Sequence, residues 1–255
     1  NGQKIWTSGA HFCDYGVIVT RSDPTVAKHK GLTYFFLDMK SPGVECRPIH
    51  QISGASNFNE VFFNDVRVPD SQRLGEVGDG WRVSLTTLMN ERLAIGERPP
   101  PGFEEAFQLA KEIELEHGLA IEDGGVRDKL ADWYVNGRGV TLTRFRSLTA
   151  LSRGHDPGPE NSIGKAITGK MRQDIASFGM DLMDMSGAVS DVENAPMRAM
   201  FQDALLSAPS GRIAGGSDEI LRNIIAERVL GLPQDVRVDK GIPFNELVDK
   251  ERGGS

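Results

Sequence analysis

The sequence predicts an α+β chain, a small β-sandwich or barrel domain followed by an antiparallel helical bundle. Three observations predict it. Runs of β-branched and aromatic residues recur at short spacing up to about residue 75; the apolar period turns helical at Gly80; and amphipathic segments of a dozen or more residues follow, to residue 233. The expected bounds are 1–75 for the β domain, 76–233 for the helical bundle and 234–255 for a tail.

Within the first part, "YGVIVT" (15–20), "LTYFFLD" (32–38) and "NEVFFNDV" (59–66) read as strands. Turn chemistry separates them at "SDPTVAKHKG" (22–31), "SPG" (41–43) and "ISGASN" (52–57). The opening "NGQKIW" already carries a strand pattern and lacks Met, so a preceding N-terminal portion is expected. "RVPDSQRLGEVGDG" (67–80) closes the sheet and leads onward. A long helix is expected from about 80 to 117, disturbed at "RPPPG" (98–102), where three prolines remove donors and clash with the preceding turn. Further amphipathic elements span 125–153, 162–187 and 195–206. The last, 217–233, opens on a Ser217 cap, has acids in its first turn, and stops at Gly231–Leu232–Pro233. The tail should be weakly ordered.

Composition narrows the function. A chain of 255 residues with a formal charge of −7 and no basic block cannot neutralise a row of phosphates, which argues against nucleic-acid binding. No apolar run approaches the roughly 18–20 residues of a membrane span. Two cysteines, Cys13 and Cys46, make no disulfide framework and no zinc pattern, and no secretory leader is visible. A cytoplasmic protein without a metal site is expected. Cys13 is expected to be a packed thiol, and His11 and His29 to serve surface or hydrogen-bonding roles. Met180, Met183 and Met185 are expected to be packing material.

One stretch resists a purely structural reading. In "TTLMNERLAIG" (86–96), Arg92 falls into the helical stripe of Trp81, Leu85, Leu88 and Ile95, which is expected to be buried, with Glu91 beside it. An ion pair or a solvated flank is the plain reading; a general base with its partner is the other.

The order of "GQKIWTSGAH", "SPG", "FNEVFFNDVRVP", "GEVGDGW", a helix carrying "ER", and "RIAGGSDEILRNIIAERVLGLP" resembles the acyl-CoA dehydrogenase family over roughly residues 1–233. That resemblance implies the middle β domain and the C-terminal helical domain, with the family's N-terminal helical domain absent. It implies FAD as cofactor and removal of a proton beside a thioester carbonyl with hydride transfer to flavin N5, giving a trans-2-enoyl-CoA. An electron-transfer flavoprotein is then the implied acceptor.

The resemblance also assigns residues. Trp6 matches the family's aromatic at the flavin ring, and Thr7 and Ser8 its polar edge. The family's usual catalytic Glu, just before the last helix, falls here on Gly215 of "AGGS", so that base is missing. Glu91 and Arg92 match the position at which other members place the base, which makes Glu91 the expected base and Arg92 its partner. Gly215 retains a backbone N–H for the thioester carbonyl, and Gly216 and Ser217 open a helix suited to a flavin phosphate or ribose. Two FAD-gripping motifs are replaced, by "LAKEIELEHG" (109–118) and by "LMDMSGAVSD" (182–191), where only Gly187 echoes the family pattern. A hetero-oligomer with a related subunit accounts for both losses; a homo-oligomer with a rebuilt grip is the other option. A non-catalytic partner subunit and a flavin oxidase or monooxygenase of the same superfamily are the alternative functions.

Overall fold

The computed structural model describes residues 1–92, 102–155, 158–237 and 239–247, and for residues 89–92 the backbone alone. It divides into two compact units, one of Asn1–Leu88 with the chain from Asp235 onward, the other of Met89–Gln234.

The first unit holds two three-stranded antiparallel sheets. β1 (Gly2–Ser8), β5 (Phe58–Phe63) and β4 (Val44–Ile49) form one, in that order; β2 (Tyr15–Arg21), β3 (Leu32–Asp38) and β6 (Arg73–Leu74) form the other. Period-two alternation sends Asn59, Val61 and Phe63 of β5 inward. Val61 and Phe63 join Ala10 and Leu37 in a core flanked by Ile18, Met39, Val44, Cys46, Val66 and Val68, so both sheets share one interior. β4 was not anticipated, because Pro48 interrupts "VECRPI". It is tolerated because β4 is an edge strand, where a missing N–H costs no ladder bond. Cys13 is exposed and not the packed thiol expected.

Buried Thr33 ties the turn leading into α1 (Gly80–Arg92) to the sheet. Its Oγ1 accepts the Gly78 N–H at 3.1 Å and lies 2.7 Å from Ser22 Oγ. Trp81, Leu85 and Leu88, expected to be buried, are exposed along α1. His29 stacks on the Trp81 ring at 4.1 Å with 9° between the planes.

The supposed tail is also placed differently. Pro243 bridges Ala27, the N–H groups of Phe244 and Asn245 donate to Val26 and Pro24 carbonyls at 3.0 Å, and Arg21 lies 3.6 Å above the Phe244 ring. Lys28 pairs with Asp239. An aromatic and a proline packed on the 22–31 loop outweigh the polar composition around them.

In the second unit, the helix expected to reach residue 117 is shorter. α2 (Phe103–Glu112) ends where Ile113 turns extended, and β7 (Glu114–Leu115) and β8 (Gly118–Leu119) form a hairpin. Its turn, "EH", is followed by Gly118 at φ 130°, a conformation that side chains resist. α3 (Gly124–Ser152) is capped by Asp123, whose carboxylate accepts the Val126 N–H at 3.0 Å. α4 (Asn161–Leu182) stops before 187 because Asp184 adopts φ 48°, opening a short 3₁₀ turn. α5 (Met200–Gly211) starts later than residue 195, since Met197, Arg198 and Ala199 are left-handed. α6 (Asp218–Ile224) runs into a wider π turn through Val229.

α4 is the hub, touching α2, α3, α5 and α6. The core joins Phe103, Leu109, Leu130, Trp133, Ile175 and Phe201 with Met171, Phe178 and Met183. Of the three methionines expected to pack, Met183 is buried, Met180 partly so, and Met185 exposed. Gly179 lets α5 approach: a Cβ there would lie 2.4 Å from the Phe201 ring.

Gly179→Ala should therefore destabilise the helical unit by about 1–3 kcal/mol, as overpacking a filled site does, with the loss read by denaturant melts. Acid should loosen the His29–Trp81 stack. Burial, then Lys28, holds the imidazole below its ordinary pKa, against a weaker opposite pull from Asp239. The fold favours neutral His29, so its stabilisation is present above the unfolded pKa of about 6.5 and lost as pH falls through the lower folded value. Tryptophan fluorescence should report a transition below about pH 6.5 that His29→Gln removes.

Candidate functional site

Two groups of the expected residues are brought together, each within its own unit. In the β unit, β1 carries a bulge between Lys4 and Thr7, where the register against β5 shifts. Trp6 sits in it with φ 60°, a left-handed conformation that costs a bulky residue roughly 1–3 kcal/mol. Its side chain gains little burial in return. The residue is 59% exposed, and its ring meets Phe58 at 6.1 Å, nearly perpendicular. A strained backbone presenting a large ring to solvent is a poor stability device and a suitable wall for a flat ligand.

The strand behind it is fixed by a residue the sequence reading passed over. Asn59 is fully buried on β5 and donates through Nδ2 to the Thr7 carbonyl at 2.9 Å. That orientation leaves Oδ1 as acceptor, so His11 Nδ1, 2.9 Å away, carries the hydrogen and donates. Gly9 N–H donates to Asn57 O at 2.9 Å. Thr7 is half-buried and Ser8 exposed beside it, paired with Phe58 in the ladder. The available signal was a polar residue at an inward position of an alternating strand.

In the helical unit, residues 212–217 connect α5 to α6. Gly215 and Gly216 have φ 69° and 111°, which only glycine adopts without strain. Ser217 caps α6 as expected, its Oγ accepting the Ile220 N–H at 3.4 Å. Its hydroxyl also bonds Glu219, whose carboxyl lies below the usual range chiefly because of a backbone N–H and then that hydroxyl. Asp218 is buried, 3% exposed, and accepts from Arg212 Nε at 2.7 Å, while Arg212 Nη1 donates to Gln173 Oε1 on α4 at 3.0 Å. This pair, a half-exposed Arg212 on a buried Asp218, was also missed; an Arg and an Asp bracketing "IAGGS" was its only trace.

The remaining expected pair lies at the end of α1. The helical backbone carries residues 91 and 92, so Arg92 continues the register of 81, 85 and 88, with Glu91 next to it. The side chains of both lie outside the described residues. Among the described residues no helix is long and apolar enough to cross a membrane, and no group of three or more His, Cys, Asp or Glu is placed to hold a metal.

The segments that replace the two missing grips are acidic in structure as well as in sequence. Glu112, Glu114 and Glu116 are exposed around the β7–β8 hairpin, as are Asp184 and Asp191 after α4. Gly187 has a packing reason of its own: a Cβ there would lie 2.4 Å from the Met180 carbonyl oxygen.

Residues 78–230 match the family profile described as acyl-CoA dehydrogenase, C-terminal domain, and residues 1–66 match that family's middle domain. Acyl-CoA dehydrogenase FadE29 of Mycobacterium tuberculosis is 46% identical over 249 residues, covering 92% of this chain and 60% of its own length. Acyl-CoA dehydrogenase FadE34 of the same organism is 39% identical over 235 residues, covering 91% of this chain and 31% of its own length. The chain thus spans 31% of one of these relatives and 60% of the other. Among solved structures, the Tcur3481-Tcur3483 steroid ACAD superposes with a TM-score of 0.79 at 26% identity, over 92% of this chain and 60% of that one. By both of its domains, the chain belongs to the acyl-CoA dehydrogenase family.

Proposed function

We propose that the chain carries out FAD-dependent α,β-dehydrogenation of an acyl-CoA thioester to the trans-2-enoyl-CoA, with Glu91 as the base. The observation that carries this reading is at the 212–217 loop. No carboxylate stands on it, and the two acids that follow are engaged, Asp218 by Arg212 and Glu219 by a backbone N–H and Ser217. A base must come from elsewhere, and the exposed apolar face of Trp81, Leu85 and Leu88 runs along α1 to the register position of residue 92, with residue 91 next to it. That face suits an acyl chain, with a carboxylate at its end for the α-proton.

FAD, when bound, supplies the hydride acceptor. Trp6 would pack against its ring, with Thr7 and Ser8 at the ring's polar edge; the exposed, strained Trp6 fits that role. The Gly215 N–H would hold the thioester carbonyl as charge develops on its oxygen; one such donor can contribute roughly 3–4 kcal/mol. Gly216 and Ser217 would lie by the flavin's ribose or phosphate. Arg92 would favour the ionised form of Glu91, while desolvation would oppose it.

The acids at 112–116 and 184–191 are poor company for a pyrophosphate, which favours a related second subunit supplying that grip. The doubled name of the Tcur3481-Tcur3483 relative accords with such an assembly. An electron-transfer flavoprotein is the proposed acceptor.

In the holoenzyme, Glu91→Gln should leave FAD bound while slowing substrate-driven bleaching of the flavin at least about a hundredfold in single-turnover measurements; unchanged bleaching would remove Glu91 from the reaction. Trp6→Gly should behave in the opposite way. Relief of the left-handed strain should leave the β unit melting no earlier than the parent, while FAD binds about tenfold more weakly for want of the ring. Equal FAD affinity in that variant would remove Trp6 from the cofactor site.

A further inference from the structure

We infer that Arg212 and Asp218 are positioning residues, a clamp that aims the Gly215 N–H at the thioester carbonyl; the inference rests on the role of Gly215 proposed above. The two residues are joined twice. The Arg212 carbonyl accepts the Asp218 N–H at 3.2 Å, and the Arg212 guanidinium holds Asp218 Oδ2 through Nε at 2.7 Å and Nη2 at 2.6 Å. Together these contacts enclose Ile213–Ser217 in a closed turn. The turn is moored to α4 at two points, by Arg212 Nη1 on Gln173 Oε1 at 3.0 Å and by Lys165 Nζ on the Gly211 carbonyl.

What the clamp determines is the direction of two peptide planes. Gly215 and Gly216, at φ 69° and 111°, have no Cβ to restrict them, so many combinations of their torsions would join the same two ends. Closure by Arg212 and Asp218 reduces that freedom. Asp218 depends on its partner: it is 3% exposed, and Oδ1 has no hydrogen-bond partner among the described residues. Without the guanidinium its charge would be buried alone, and the chain would move to hydrate it. There is room to move. A cavity of about 270 Å³ lined by Gln173, Pro209, Arg212, Ile213, Asp218 and Glu219 adjoins the pair. A displacement of an ångström or less at Gly215 would spoil a hydrogen bond that depends on distance and angle.

The test compares binding of two ligands to the oxidised holoenzyme: a 2-enoyl-CoA with the acyl group turned over fastest, and its thioether, in which a methylene replaces the carbonyl. The parent should prefer the thioester about tenfold, as one good donor to the carbonyl allows. In Arg212→Gln and in the isosteric Asp218→Asn the preference should fall to within about twofold, with affinity for the thioether unchanged. A merely structural role would weaken both ligands alike. If the parent shows the preference and both variants keep it, the clamp is overturned while the Gly215 reading stands. If the parent shows no preference, Gly215 holds no carbonyl and both readings fall. Asp218→Asn leaves no unpaired buried charge, so it keeps the comparison decisive should Arg212→Gln fail to fold.

Discussion

The separation of α4 and α5 is set by one contact, the Phe201 ring lying over the bare backbone of Gly179. Phe201 is fully buried in the core that α2, α3 and α4 share, so α5 cannot shift without opening a void. The turn that follows α5 inherits its placement from that contact. Gly211 and Arg212, at the end of α5, bind back to Lys165 and Gln173 of α4, and the glycine turn hangs from them. The geometry of two glycine amides is thus traceable to the absence of a methyl group at Gly179, where a Cβ would meet the Phe201 ring.

The two groups of proposed site residues are built on opposite physical terms. At Trp6 the chain accepts an unfavourable backbone and an exposed ring, and Asn59 supports the strand from beneath by satisfying Thr7 and His11 at once. At Gly215 the backbone is unstrained because the residues are glycines, and the difficulty is excess freedom. One site needs a prop and the other a tether. In both, a buried polar side chain fully within its unit supplies it, Asn59 in the sheet and Asp218 beside the helix end. Neither touches the proposed ligand surface directly.

Much of the fold was legible because the hydrophobic period is unambiguous where it matters. The strands at Tyr15–Arg21 and Leu32–Asp38, the switch to helix at Gly80 and the Ser217 cap all follow from side-chain spacing or a single capping hydroxyl. The failures were tertiary. Pro48 hides β4 because an edge position is a property of the sheet and not of the strand. The helix thought to extend to residue 117 yields to a Gly118 turn, and Asp184 ends α4 by a left-handed conformation that composition does not announce. Of the proposed site, Trp6, Ser8, Gly215 and Glu91 were visible by resemblance. Asn59, Arg212 and Asp218 were not, since a pair six residues apart or an inward asparagine means nothing until the chain has folded around it.

The attachment of residues 239–247 to the 22–31 loop has a consequence for biosynthesis. A chain emerging from the ribosome completes its sheets early, but Val26 and Pro24 receive their backbone donors from Phe244 and Asn245, more than two hundred residues later. Until then the loop beside His29 and Trp81 is left without its cover, while the helical unit between is still being made. The β unit is therefore finished only after the helical unit has been made, and any nascent-chain helper would be expected to shelter the open 22–31 loop until residue 245 emerges.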